Sequence, residues 1–145
     1  MLTRVEKAYL AGFLDGDGSI YVRVKPNHTY RYGFQIAPYI VLFQSGKSRK
    51  EFEELCSLIQ LGYMRERNDG ILEYIIGRVE SLREFLKMVK PFTILKREQI
   101  DLMLAILQKK KRIKNSQEFQ ELIDLIDRFR DMNYSKTRKK RVLTP

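Results

Sequence analysis

The run Tyr9-Leu10-Ala11-Gly12-Phe13-Leu14-Asp15-Gly16-Asp17-Gly18 decides how the rest of the chain is read. Its apolar first part suits a helix, and its last four residues, two carboxylates alternating with two glycines, end one. Ala8, Gly12 and Gly16 recur at intervals of four. On a helix they share one narrow face with almost no side chain, where a second backbone can approach closely. Leu10, Phe13 and Leu14 point in other directions around the cylinder, which predicts a helix buried nearly all round. Asp15 and Asp17 fall at the negative end of the helix dipole, where carboxylates are unfavourable unless something positive is bound. An Asp-x-Asp-Gly cluster can also open a calcium loop. Counting from Asp15, however, the fifth position is Ser19 and the twelfth is Pro26, where such a loop needs an oxygen ligand and then a glutamate. Gly-Asp-Gly also makes ordinary tight turns, and the spacing by itself leaves that reading open.

The 145 residues amount to one domain. Lys and Arg total 28 against 18 Asp and Glu, a net charge of +10, which implies a polyanionic partner. No apolar run reaches the roughly 20 residues that span a bilayer and no signal peptide opens the chain, so nucleic acid is expected rather than membrane. Cys56 is the only cysteine and His28 the only histidine, which excludes an intrachain disulfide and a cysteine- or histidine-based metal cluster. Any metal is therefore held mainly by oxygen, as suits a hard cation such as magnesium.

Beyond the opening helix, Ser19 to Lys25 alternates, with Ile20, Val22 and Val24 on one face and Tyr21, Arg23 and Lys25 on the other: a half-buried strand whose open face carries an aromatic and two cations. Pro26-Asn27-His28-Thr29 reads as a turn. A second strand is expected from about Tyr30 to Phe43, with Arg31, Gly33, Gln35 and Ala37 on one parity and a bulge or bend at Pro38. Ser48-x-x-Glu51 has capping-box spacing and predicts the start of a helix with Phe52, Leu55, Cys56 and Ile59 inward. Lys47, Arg49 and Lys50 crowd that start and call for an anion. A hairpin follows from Tyr63 to Arg78, turning at Asn68-Asp69-Gly70, with Arg65 and Arg67 facing the same way. Ser81-x-x-Glu84 predicts a helix that Pro91 ends, and further helices run from Lys96 to about Lys111 and from Ser116 to about Met132. The last stretch, from Asn133 to Pro145, holds five basic residues and no acid.

The opening run resembles the signature of the LAGLIDADG homing endonucleases. Lys25-Pro26-Asn27, Gly62-Tyr63-Met64-Arg65-Glu66-Arg67, Pro91-Phe92 with Lys96, and Ser135-Lys136-Thr137-Arg138-Lys139 are similar to strings of its single-motif, chloroplast-type homodimeric members. The resemblance implies an α+β fold of order αββαββα, with a curved four-stranded antiparallel sheet per subunit and extra C-terminal helices. It covers one domain over 1–145, with a basic tail from about 133. One motif supplies half of an active-site pair, so a homodimer is implied, its motif helices packed through Ala8, Gly12, Phe13 and Gly16. The implied activity is hydrolysis of both strands of a long, near-palindromic double-stranded DNA target, promoting intron mobility. On the same fold, the alternatives are an RNA maturase that assists splicing of its intron and a catalytically silent DNA-binding module.

By the same resemblance, Asp17 is the metal-binding carboxylate and the Gly16 carbonyl a further ligand, for Mg2+ with Mn2+ able to substitute. Asp15 is read as a structural acceptor. Gln44 falls where the family orders water around the nucleophile, and Lys96 where it has a basic pocket residue. Ser48 occupies the other basic position, so Lys47 or Arg49 is expected to substitute. Strand parity and resemblance give the DNA-facing set as Tyr21, Arg23, Lys25, Asn27, Thr29, Tyr30, Gln35, Arg65, Arg67 and Glu73, with Lys136 and Arg138 on phosphate. The implied setting is intracellular, in a chloroplast, a mitochondrion or a prokaryotic cytoplasm.

Overall fold

The computed structural model describes residues 1–133. Helix α1 (Arg4–Asp17) leads directly into β1 (Gly18–Pro26), which is followed by β2 (Phe34–Ser45), α2 (Arg49–Ile59), β3 (Tyr63–Glu66), β4 (Ile71–Ile76), α3 (Val79–Val89), α4 (Arg97–Lys110) and α5 (Ser116–Asp131). Short 3-10 turns occupy Gly46–Ser48 and Lys90–Phe92. The expected α+β order is present, with α4 and α5 as the additional helices.

The four strands form one antiparallel sheet in the order β1-β2-β4-β3. Because strand side chains alternate, each strand gives one set to the helices and the other to the opposite face. Ile20, Val22, Ile36, Ile40, Leu42, Leu72, Tyr74 and Ile76 point into the helix layer and join Leu10, Leu14, Phe85, Leu86, Ile106 and Phe129 in one core. A fully buried Phe or Leu stabilises such a core by about 1.5–3 kcal/mol. Tyr21, Arg23, Lys25, Gln35, Tyr39, Arg65 and Glu73 belong to the opposite set, on the sheet face that bears no helix.

Several boundaries differ from the sequence expectation. Strand β2 begins at Phe34 rather than Tyr30. The Asn27 N–H donates to the Gly33 carbonyl (2.8 Å) and the Gly33 N–H to Tyr30 (3.0 Å), and Gly33 takes a φ of 83°, so the intervening residues close a loop. Pro38 makes no bulge: it pairs with Val22 in unbroken register, and β4 pairs only with Ile40–Ser45, so β2 is laddered on one side alone at the proline. Neither serine cap forms. Ser48 makes no side-chain cap bond because it closes the 3-10 turn that Ser45 caps, and α3 has already begun at Val79. The capping box lies instead at α1, where the Glu6 N–H donates to Thr3 Oγ1 (3.1 Å) and the Thr3 N–H to Glu6 Oε1 (2.9 Å). Nor is α1 buried all round. Leu10, Ala11 and Leu14 are buried, but Ala8, Gly12 and Gly16 lie exposed along one side.

Candidate active site and recognition face

Asp15 and Asp17, two residues apart in sequence, have different surroundings. The Asp15 carboxylate accepts the backbone N–H groups of Ile94 (2.8 Å), Leu95 (3.0 Å) and Lys96 (3.1 Å). These immediately precede α4, so the carboxylate sits at the positive end of that helix, which offsets its poor position at the negative end of α1. In return, Lys96 Nζ donates to the Asp15 carbonyl (2.8 Å), one of the last carbonyls of α1, which the helix itself cannot satisfy. The structural reading of Asp15 therefore has a physical basis, and Lys96 is fixed at the same helix end. Asp17 is exposed and closes α1 beside the Gly16 carbonyl. A carboxylate and a carbonyl form a hard, oxygen-only donor set. Among the described residues, no three His, Cys, Asp or Glu side chains gather in a way that could hold a metal ion, so one chain does not complete such a site with its own side chains.

The sheet register brings other candidates to this end. Gly18 opens β1 opposite Leu42, and Gln44 lies two residues further along β2, level with the approach from Asp17. Gln44 Oε1 accepts the Ser45 N–H (2.9 Å), which leaves the amide nitrogen as the end it can present. The Lys47 N–H donates to Ser45 Oγ (3.2 Å), and the Gly46 N–H donates to the Gly70 carbonyl (2.9 Å). A methyl group on Gly46 would fall 2.6 Å from that carbonyl, so the close approach of the two turns needs glycine. Lys47 and Arg49 then part company. Arg49 pairs with Glu66 and with Glu53 (3.4 Å), whereas Lys47 is exposed and has no carboxylate partner among the described residues. Of the two candidates for the basic position, Lys47 is the freer cation, and Arg49 would have to leave its acids to serve.

The exposed side of α1 extends beyond its small residues. Val5 is 79% exposed and Tyr9 63%, and the loop held by Asp15 presents Ile94 at 79% and Leu95 at 78%, values that for large apolar side chains indicate an uncovered contact surface. A methyl group added to Gly12 or Gly16 would meet nothing within 4 Å among the described residues, so none of these requires glycine there. Phe13 departs from this strip. Rotated about 100° from Gly12, it stacks on Phe52 with ring centroids 6.0 Å apart, within its own subunit.

On the open sheet face, Tyr21 and Tyr39 lie opposite each other with ring centroids 5.3 Å apart, and the Arg23 guanidinium sits 5.8 Å from the Tyr39 ring centre. Burial is the main influence on the Tyr39 phenol and pushes its pKa up, against the opposing pull of Arg23. Arg65 faces Glu73 in register and pairs with it at 3.7 Å, so two expected base readers hold each other. Arg67 is turned to Asp69 (2.7 Å). Asn27 Oδ1 accepts both the Thr29 N–H (3.1 Å) and Thr29 Oγ1 (2.6 Å), which shapes the loop and engages both side chains. Tyr30 is exposed and Gln35 half-buried, both lining a cavity of about 290 Å3 with Tyr32 and Phe119. Lys136 and Arg138 lie outside the described residues.

Sequence reasoning missed Tyr39, Val5, Tyr9, Ile94 and Leu95. Tyr39 shares the parity of Gln35 and Ala37, and carrying that alternation past Pro38 would have found it. Ile94-Leu95, two large apolar residues between Pro91 and a helix start, was a readable sign of an uncovered loop. Cys56 is buried, and its thiol is pushed up to about 12, chiefly by that burial, so it is inert packing. No helix among the described residues is long and apolar enough to cross a membrane.

A family model described as LAGLIDADG endonuclease matches residues 10–107. The chain is 36% identical over 132 residues to the DNA endonuclease I-CreI of Chlamydomonas reinhardtii, covering 90% of this chain and 80% of the relative. It is 31% identical over 121 residues to the DNA endonuclease I-CvuI of Chlorella vulgaris, covering 83% and 75%. A crystal structure of I-CvuI in complex with the I-CreI target, in the presence of Mg and with the DNA not cleaved, superposes with a TM-score of 0.87 at 29% identity, covering 94% of this chain and 87% of that one. The archaeal intron-encoded homing endonuclease I-Vdi141I, complexed with DNA, shares the fold with a TM-score of 0.83 at 19% identity, covering 94% and 89%.

Proposed function

This chain belongs to the LAGLIDADG endonuclease family, and on that premise we propose that it is a site-specific homing endonuclease that hydrolyses both strands of a long, near-palindromic DNA target as a homodimer. The observation that carries the reading is Asp17, left exposed at the end of a helix whose glycine face meets nothing among the described residues. Pairing two such helices through Ala8, Gly12 and Gly16, with Val5, Tyr9 and Leu95 alongside, would cover the apolar strip and bring two Asp17 carboxylates together near the dyad. Phe13 would support that contact from behind, through Phe52.

Asp17 and the Gly16 carbonyl would hold a divalent ion, Mg2+ in the first place, with Mn2+ as a substitute. A divalent ion there neutralises phosphate charge and lowers the pKa of a bound water. Lys96 neutralises the helix end from which Asp17 projects, Gln44 orients water with its amide nitrogen, and Lys47 supplies positive charge close to the scissile phosphate. The open sheet face lies along the DNA. Tyr21, Arg23, Lys25, Asn27, Thr29, Tyr30, Gln35, Arg65, Arg67 and Glu73 line it, and the basic tail from about 133 adds phosphate contacts through Lys136 and Arg138. The whole of 1–145 acts as one domain, inside a cell whose organelle or cytoplasm holds the target.

Asp17→Asn tests this. In magnesium, cleavage of a plasmid carrying the uninterrupted insertion junction should fall by at least about a hundredfold, since the change removes a charge the reaction requires, while binding of the same duplex persists. Undiminished cleavage would overturn the assignment. Splicing of an intron RNA that survives the substitution would place maturase activity beside the nuclease, and a wild-type protein that binds the junction without cutting it would be a DNA-binding module alone.

A further inference from the structure

Four side chains form a continuous chain of contacts in the order cation, ring, ring, cation, with the two rings tilted by 44°. The Arg130 guanidinium lies 5.8 Å from the Tyr21 ring centre, Tyr21 lies 5.3 Å from Tyr39, and the Arg23 guanidinium lies 5.8 Å from Tyr39. Three of these residues come from β1 and β2. Arg130 comes from the last turn of α5, in the helix layer. It reaches the open face because β1 is an edge strand: Asn133 Nδ2 donates to the Ile20 carbonyl (3.5 Å), and Gln99 Nε2 donates to the Met132 carbonyl (3.1 Å), which holds the end of α5 against that edge. Arg130 Nε is buried without a hydrogen-bond partner, so the aromatic contact is made at the expense of a donor, an arrangement that packing within the helix layer does not require.

A guanidinium on a strand is a long, rotatable group that would sample many orientations on an open sheet. Here each member touches the next, so the orientation of Arg23 depends on Tyr39, that of Tyr39 on Tyr21, and that of Tyr21 on Arg130. We propose that Arg130 is a positioning residue for DNA recognition, which clamps the Tyr21–Tyr39 pair from the edge of β1 so that Arg23 is presented to base edges in one orientation. The proposal rests on the reading of the open face as the DNA-binding surface. Arg130 itself touches no base. It links the α5 end of the helix layer, by way of Tyr21 and of Tyr39 on β2, to Arg23, a specificity residue two positions from Tyr21 on the same edge strand.

The test is a binding selection from a fully randomised duplex library, using the full-length wild type, Arg23→Ala, Arg130→Gln, Arg130→Lys and the Arg23→Ala/Arg130→Gln double variant, with sequencing to give base preference at each position. Arg130→Gln keeps the stem while removing the cation. It should lower preference about three- to fivefold at the position that Arg23→Ala relaxes, the range expected for one cation–aromatic contact. Arg130→Lys should restore part of it, and the double variant should be no more relaxed there than Arg23→Ala alone. Equal weakening on all sequences would overturn the proposal, making Arg130 a phosphate contact or a prop for the fold, as would independent effects in the double variant. If Arg23→Ala changes no position, the reading of the face and the proposal fall together. If Arg23→Ala relaxes a position that Arg130→Gln leaves untouched, only the proposal falls.

Discussion

Asp15 accepts three backbone N–H groups at the start of α4, and Asp17 accepts none of them, though both carboxylates lie at the same unfavourable helix end. Removing them should therefore act in opposite directions. Asp15→Ala strips three donors of their acceptor and loosens the loop that carries Ile94 and Leu95, at a cost of about 1–2 kcal/mol, as for loss of a helix cap. Asp17→Asn relieves a charge that opposes the α1 dipole and should leave stability unchanged or raise it by up to about 1 kcal/mol. Urea denaturation of the two variants decides this, and an Asp17→Asn loss as large as that of Asp15→Ala would mean that Asp17 too is structural. The sequence could name both aspartates but not divide their roles from spacing, because the partner of Asp15 lies about eighty residues away, in a loop whose own residues do not show that they face a carboxylate. The same holds for Arg49. Its basic run was visible, but the Glu66 that takes it arrives only when β3 folds back towards α2.

At the scale of elements, α1 was legible from its glycines and β1 from its clean alternation, since both signals are local and periodic. Apolar residues on every side of α1 concealed its open face: Val5 and Tyr9 are as hydrophobic as core residues, and only the tertiary fold shows that none of the described residues covers them. The serine caps misled for a related reason. Capping-box spacing recurs by chance, and Thr3 with Glu6, at a helix start that Arg4 and Val5 do not announce, is the pair that closes. The open face of α1 leads to a prediction. Because a methyl group at Gly12 meets nothing among the described residues, Gly12→Ala should stabilise the isolated chain by about 1 kcal/mol through helix propensity alone, while it holds two paired helices apart. Sedimentation equilibrium should show dimer dissociation raised at least about tenfold, the effect of losing about 1.4 kcal/mol from the contact. A variant that gains stability and dimerises as before would show that the strip is not the dimer surface.

Across the whole molecule, charge and shape divide the labour. The helix layer carries the core, one end of the sheet carries Asp17, Gln44 and Lys47, and the open sheet face carries side chains of differing hydrogen-bond pattern. The net charge of +10 is spread well beyond any single site, and half of it belongs to the stretch from Asn133 onward. Long-range attraction and base reading should then separate experimentally. Arg65 is held by Glu73 across β3 and β4 in the free protein, so it must exchange that partner for a base edge, and Arg65→Ala should relax preference at one position of each half-site by about 1–3 kcal/mol. Lys136→Ala should weaken binding to every sequence alike. If it removes one phosphate contact from each of two subunits, a plot of log binding constant against log salt should become shallower by nearly 2 units, at roughly 0.9 per contact. Fluorescence anisotropy on cognate and scrambled duplexes, from low to physiological salt, measures both. An Arg65 variant that changes the slope without changing preference, or a Lys136 variant that does the reverse, would show that the sheet face and the tail do not divide reading from attraction in this way.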